Sequence, residues 1–229
     1  MPAFGLLDPL AERLRTHRYM VFNGATLREM IAARPASDLL LGKPLPIREA
    51  AAIIGLGAGS PAGSPQWLID TPARLREYIE AARGRDVRIR VNFEIDVGLH
   101  RGGFQTIEAL KAAIDIAKTE PLIEIAGLMG YDPHVAKVPD SNGAFRRVQT
   151  RYREAIACLA DELGADPRTL TLNTAGSPTY KLHAAGTAAN EVSVGSAFVK
   201  PVDFDIPTLA HHAPAAFIAT PVLKALDRT

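Results

Sequence analysis

The sequence predicts an α/β fold built on a parallel sheet, and three observations carry that reading. Short apolar runs alternate with helical patterns nearly from end to end, the pattern of strands joined by crossover helices. At 229 residues with 47% apolar content, the chain is long enough for one large domain with a substantial core. Several of the runs end in glycines beside polar side chains, and the ends of buried strands are where α/β proteins build sites.

The elements follow in order. A strand over Tyr19–Asn23 leads to a helix over Thr26–Arg34, and a strand over Asp38–Gly42 to a helix over Ile47–Gly55. After a strand at Gln66–Asp70, Thr71-Pro72 supplies an N-cap with proline at the first helical position. That opens a helix over Pro72–Arg83, with Leu75, Tyr78, Ile79 and Ala82 on one face. Val87–Ile95 is apolar and β-branched, a strand by composition. Ile107, Leu110, Ile114 and Ala117 mark the next helix, Ile107–Lys118, before a strand at Ile123–Tyr131 and a long helix at Asn142–Leu163. Strands at Thr169–Asn173 and Val192–Phe198 complete a set of seven, one short of the eight that close a barrel. An open doubly wound sheet and a barrel both fit this pattern. From His211 the rhythm breaks: Ala215–Leu223 reads as a strand with no helix after it, where a second domain would start.

A formal net charge of +1 gives no push toward nucleic acid or an anionic membrane. No apolar run approaches the roughly 18 residues of a membrane span, and the N-terminus lacks the basic-then-apolar order of a secretory signal. The single cysteine, Cys158, excludes an internal disulfide framework and fits a reducing cytoplasm; on its helix it reads as a small core side chain.

Glu94-Ile-Asp-Val-Gly-Leu-His-Arg-Gly-Gly103 places two acids, an arginine and three glycines at the end of a strand. Read alone it fits a turn with a salt bridge as well as a site. Gly127-Leu-Met-Gly-Tyr-Asp-Pro-His134 ends the fifth strand, where Tyr131 can stack on a planar ligand and His134 can shuttle a proton. Asn173-Thr-Ala-Gly-Ser-Pro-Thr-Tyr180 and Ser193-Val-Gly-Ser-Ala-Phe198 offer glycine N–H groups beside hydroxyls, the chemistry that cradles a phosphate. By contrast, Gly55-Leu-Gly-Ala-Gly-Ser-Pro-Ala-Gly63 follows a helix and runs into proline, so it reads as a loop and not as a dinucleotide fingerprint. A phosphate cradle with a stacking tyrosine suggests a pyridoxal ligand, which needs a lysine. Lys43 is the best-placed lysine, at a strand end, while Lys111 and Lys118 lie on a helix. His211-His212 has no other ligand type at metal spacing.

In order and spacing, Asp96-Val-Gly-Leu-His-Arg-Gly-Gly103, Gly127-Leu-Met-Gly-Tyr131, Gly176-Ser-Pro-Thr-Tyr180 and Glu191-Val-Ser-Val-Gly-Ser196 resemble the alanine racemase-like, fold-type III pyridoxal-phosphate enzymes. Asn23-Gly-Ala-Thr-Leu-Arg-Glu29 and Asp38-Leu-Leu-Leu-Gly-Lys-Pro44 match the D-threonine aldolase and D-serine dehydratase-like branch. The resemblance covers roughly residues 18 to 223 and implies a (β/α)8 TIM barrel holding pyridoxal 5'-phosphate at its C-terminal face. Carried over by position, it gives Tyr131 the stacking role. Gly176, Ser177, Thr179, Gly195 and Ser196 become the phosphate holders, and Arg101 lies beside the cofactor's phenolic oxygen. Where alanine racemases set an arginine against the pyridine nitrogen this chain has Ser193, which points to the aldolase and dehydratase branch. The family's Schiff-base lysine, at the end of the first barrel strand, falls upstream of the matched segment. The expectation is therefore a barrel lacking its first strand over residues 1–212, and the start of an absent β-domain, carrying any divalent metal, over 213–229. The resemblance further implies a small amino-acid substrate, D-amino or β-hydroxy-α-amino, and a homodimer. A non-catalytic single-barrel pyridoxal-phosphate carrier and an inactive barrel remnant are the competing expectations.

Overall fold

The computed structural model describes residues 3–56, 64–219, 221 and 224. Seven strands, β1 (Arg18–Val21), β2 (Asp38–Leu41), β3 (Gln66–Ile69), β4 (Ile89–Ile95), β5 (Ile123–Gly130), β6 (Thr171–Thr174) and β7 (Glu191–Val192), form one sheet in sequential order. Every neighbouring pair is parallel. Between them run α2 (Gly24–Ala33), α3 (Ile47–Ala51), α4 (Pro72–Arg83), α5 (Ile107–Lys118) and α6 (Ser141–Leu163), preceded by α1 (Phe4–Leu14).

The sheet is curled. In a flat sheet with strands about 4.8 Å apart, β3 and β6 would lie roughly 14 Å from each other, and β1 and β7 roughly 29 Å. Gln66 on β3 nevertheless donates to the Thr171 hydroxyl on β6 at 3.0 Å, and Arg18 on β1 reaches Glu191 on β7 at 3.0 Å. Such contacts require an open barrel. Among the described residues no strand ladder joins β7 to β1.

Strand alternation separates the two faces. On β4, Ile89, Val91, Phe93 and Ile95 are buried in the apolar core. Arg90, Asn92 and Glu94 point inward, where Arg90 donates to Asp38 at 2.8 Å and Asn92 to Gln66 at 3.0 Å. The helices bury matching faces: Leu75, Tyr78, Ile79 and Ala82 on α4, and Leu110, Ala113, Ile114 and Ala117 on α5. Their starts are fixed by side-chain caps, Asn23 accepting from Thr26 N–H, Thr71 from Arg74 N–H and Thr106 from Ala109 N–H.

One helix comes unannounced by the sequence, and three expectations are corrected. Helix α1 carries none of the usual start signals: it has no side-chain cap, no acid in its first turn and a proline inside it. Tertiary contacts hold it, since Arg34 pairs with Asp8 at 2.6 Å and lies over the Phe4 ring. The expected helix to Gly55 stops as an α-helix at Ala51 and goes on as turns, with Gly55 at a φ of 96°. The strand expected over Val192–Phe198 ends at Val192, after which Ser196–Phe198 forms a 3-10 turn. Ala215–Leu223 is not a strand where described: residues 215–219 have no regular structure, and Phe217 and Ile218 are exposed. Residues 220, 222 and 223 lie outside the described residues, as does the glycine-rich loop from 57 to 63. Among the described residues no helix is long and apolar enough to cross a membrane.

Candidate active site

The C-terminal ends of β4, β5, β6 and β7 converge on one mouth of the barrel. After β4, Asp96 organises a tight turn: its Oδ1 accepts from the N–H groups of Gly98 and His100, both at 3.0 Å, and its Oδ2 lies 2.7 Å from the His100 ring. Burial pushes this carboxyl up, but the two N–H bonds and the histidine outweigh it and hold the pKa below 3.8. Gly103, at a φ of 90°, lets the chain fold back so that Phe104 N–H donates to the Glu94 carbonyl; a Cβ there would stand 2.7 Å from that oxygen. The turn aims Arg101 across the mouth. Its Nη2 donates to Glu94 Oε1 at 2.5 Å and reaches the Gly42 carbonyl at 3.4 Å, while its guanidinium carbon lies 4.7 Å from the centre of the Tyr131 ring. Glu94 is almost fully buried, and burial raises its pKa above 4.5 against the opposing pull of Arg101.

Tyr131 follows β5 directly, and burial pushes its phenol pKa up, so the ring is neutral. Gly176, in the turn after β6, lies against it: a Cβ at this position would stand 2.4 Å from Tyr131 Cε2. The residue before it, Ala175, is buried and held at a φ of 67°, a strain rarely tolerated without purpose in a non-glycine residue. In the same turn the Ser177 hydroxyl accepts from the N–H groups of Gly195 at 3.1 Å and Ala197 at 3.0 Å. The Ser177 hydroxyl thereby pins the loop after β7 to the turn after β6 and brings both to the mouth. Thr174, at the end of β6, has a buried hydroxyl with no hydrogen-bond partner among the described residues.

The profile of the alanine racemase N-terminal domain matches residues 6–201. The chain belongs to that family. No curated protein matches the sequence. Among solved structures, the chain is similar to a D-threonine aldolase from Filomicrobium marinum at 21% identity and a TM-score of 0.66, covering 86% of this chain and 51% of that one. It is also similar to alanine racemase from Clostridium difficile 630 at 17% identity and 0.68, covering 91% and 48%. Alanine racemase from E. faecalis gives 18% and 0.63, covering 85% and 47%. At such identities the likeness is one of fold, and the chain spans about half the length of these structures.

Set in the alanine racemase N-terminal domain, the residues singled out from the sequence divide into two groups. Arg101, Tyr131, Gly176, Ser177, Gly195 and Ser196 come together at the barrel mouth, with Gly195 and Ser196 exposed. Thr179 is fully buried beneath them, and its hydroxyl is donated to Asp132. Ser193 accepts from the Asn173 amide at 2.9 Å, and the same amide donates to the Glu191 carboxylate at 2.6 Å at the ends of β6 and β7. His134 lies beside the Asp96 turn with its pKa lowered by burial, and its Nδ1 is buried without a partner among the described residues. Lys43 is exposed, one residue after the carbonyl that Arg101 reaches. Outside the mouth, Lys111 and Lys118 both pair with Glu162 on α6, and the Cys158 thiol is half-buried with its pKa pushed up by burial. His211 and His212 both meet the Tyr180 hydroxyl, and among the described residues no three His, Cys, Asp or Glu side chains are grouped to hold a metal ion. Sequence reasoning gave no role to Glu94, Asp132 or His183. Glu94 was within reach, since it ends the inward face of β4 two residues before Asp96; His183 lies 51 residues from Asp132 and meets it only because β5 and β6 are neighbours.

Proposed function

We propose that this chain binds pyridoxal 5'-phosphate at the C-terminal mouth of its barrel. It is then the cofactor-binding part of an enzyme that acts on a D-amino acid or a β-hydroxy-α-amino acid, by D-threonine aldolase-like cleavage or D-serine dehydratase-like elimination. The observation that carries this reading is the meeting of Tyr131 with the Gly176–Thr179 turn, beside N–H groups that converge on one point. The residues fit the group: a stacking ring, a glycine with no Cβ to crowd it, and hydroxyl and N–H groups of the turns after β6 and β7 gathered at one place.

When bound, the cofactor supplies an electron sink for breaking a bond at the amino acid's Cα. The chain's own residues do the rest. Tyr131 presents a neutral ring to the pyridine. Gly176, Ser177, Gly195 and Ser196 hold the phosphate through backbone N–H groups and hydroxyls, with Thr179 closing the same turn. Arg101, steadied by Glu94, donates toward the phenolic oxygen. Ser193, where alanine racemases set an arginine, offers the pyridine nitrogen a neutral neighbour, which supports the aldolase and dehydratase reading over racemisation.

Titration with pyridoxal phosphate by equilibrium dialysis tests this. The unaltered chain is expected to bind it saturably. Gly176→Ala, which forces a Cβ against Tyr131, is expected to raise the dissociation constant about tenfold or more, an overpacking cost of about 1–3 kcal/mol. No saturable binding by the unaltered chain, or equal binding by Gly176→Ala, would overturn the reading.

A further inference from the structure

Asp132, Thr179 and His183 form a buried trio, and the roles above give no work to Asp132 or His183. The Thr179 hydroxyl donates to Asp132 Oδ1 at 2.5 Å, and His183 Nε2 lies 2.9 Å from Asp132 Oδ2, so both carboxylate oxygens are engaged. Asp132 and Thr179 are 0% exposed and His183 is 4% exposed. On its far side His183 Nδ1 meets the Thr187 hydroxyl at 3.0 Å, and Phe145 stands edge-on against the imidazole. A buried carboxylate is costly to desolvate, and as a source of stability alone such a pair is often matched by apolar residues. Its better-attested use is to fix one geometry.

The geometry it fixes lies at the mouth. Asp132 is the residue after Tyr131, at the end of β5. Thr179 closes the turn after β6, its N–H donating to the Gly176 carbonyl at 3.0 Å, and His183 lies in the 3-10 segment that follows, Tyr180–Ala185. The trio therefore fastens the strand end that carries the ring to the turn that carries Gly176 and Ser177. We infer that Asp132 and His183 are positioning residues for the phosphate turn: by holding the Thr179 hydroxyl beneath the site, they set Gly176 against Tyr131 and preset the Ser177 region to receive a phosphate. The inference rests on the cofactor reading above and assigns the phosphate end of that site its support.

The test compares pyridoxal phosphate with pyridoxal, which carries the same aldehyde and ring without the phosphate. Thr179→Val removes the hydroxyl at constant shape and is expected to weaken pyridoxal phosphate about tenfold while leaving pyridoxal within about twofold. Thr179→Ser keeps the hydroxyl and is expected to restore the affinity. Where Thr179→Val does not fold, Asp132→Asn carries the same comparison, since it keeps the volume and cannot accept from both partners. A phosphate preference unchanged in these variants, or an equal loss for both ligands, overturns the inference. An unaltered chain that binds pyridoxal phosphate no better than pyridoxal overturns the phosphate reading on which it stands, a separate and distinguishable failure.

Discussion

Glu94, on the inward face of β4, and Asp96, in the turn that follows it, sit two residues apart, and their surroundings drive their pKa values in opposite directions. Asp96 is wrapped in N–H donors that favour its charged form. Its contribution to stability is present above 3.8 and is lost as pH falls through its lower folded value. Glu94 lies deeper, and burial outweighs its bond to Arg101. A folded pKa raised above 4.5 means that the folded chain binds this proton more tightly than the unfolded one. The stability from that proton is therefore full below 4.5 and is lost as pH rises through the folded value. Glu94→Gln removes the titration, so the stability difference between the two proteins is expected to move in the variant's favour as pH rises above 4.5. Urea denaturation of both proteins across this range measures it, and parallel curves would sink the assignment. The same variant weakens the hold on Arg101, so it is also expected to reduce affinity for pyridoxal phosphate.

At the scale of elements, α6 secures the site strands from outside. Tyr152 is buried on this helix, with its hydroxyl 2.6 Å from the Asn173 carbonyl on β6 and 3.2 Å from the Leu128 carbonyl on β5. It acts as a bolt across the strand pair whose ends carry Tyr131 and Gly176. Tyr152→Phe keeps the ring and deletes the bond, and is expected to cost about 1–2 kcal/mol in chemical denaturation. A loss below a few tenths would show that the carbonyls are already satisfied by the sheet. Elements of this kind were largely legible in the sequence. Thr71-Pro72 and Thr106 announce α4 and α5 because a cap is a local device, read within four residues. The glycine-bearing strand ends were legible for the same reason: the backbone turns that need glycine are local, as at Gly103. Helix α1 was not legible, because its order comes from Arg34 contacts made across the fold. The end of β7 was missed because Val-Ser-Val reads as a strand by propensity, while its neighbour β6 pairs with it only at Asn173 and Thr174. The buried trio was out of reach for the same reason as α1, since nothing local links Asp132 to a histidine 51 positions on.

Over the whole molecule, the barrel interior is held by polar side chains while the outer face of the sheet packs apolar against the helices. Gln66 is the centre of that interior: its amide donates to Asp38 at 3.2 Å and to Thr171 at 3.0 Å, and accepts from Asn92 at 3.0 Å. The seam between β1 and β7 is of a different kind. There the Arg18–Glu191 pair spans the gap, with the arginine side chain 52% exposed and the glutamate 18% exposed. An ion pair that wet contributes about 0–1 kcal/mol and is screened by salt. Glu191 does a second thing, however: its Oε1 accepts from the buried Asn173 amide at 2.6 Å, the same amide that meets Ser193 at the site. The two halves of the pair should therefore respond unequally. Arg18→Ala is expected to lower stability by less than about 1 kcal/mol, with the loss vanishing at high salt. Glu191→Ala leaves a buried donor short of an acceptor and is expected to cost about 1–3 kcal/mol at any salt concentration. Urea midpoints at low and high salt separate the two contributions. If Arg18→Ala costs as much as Glu191→Ala and that loss persists in salt, the seam itself, and not the Asn173 amide, is what the pair secures.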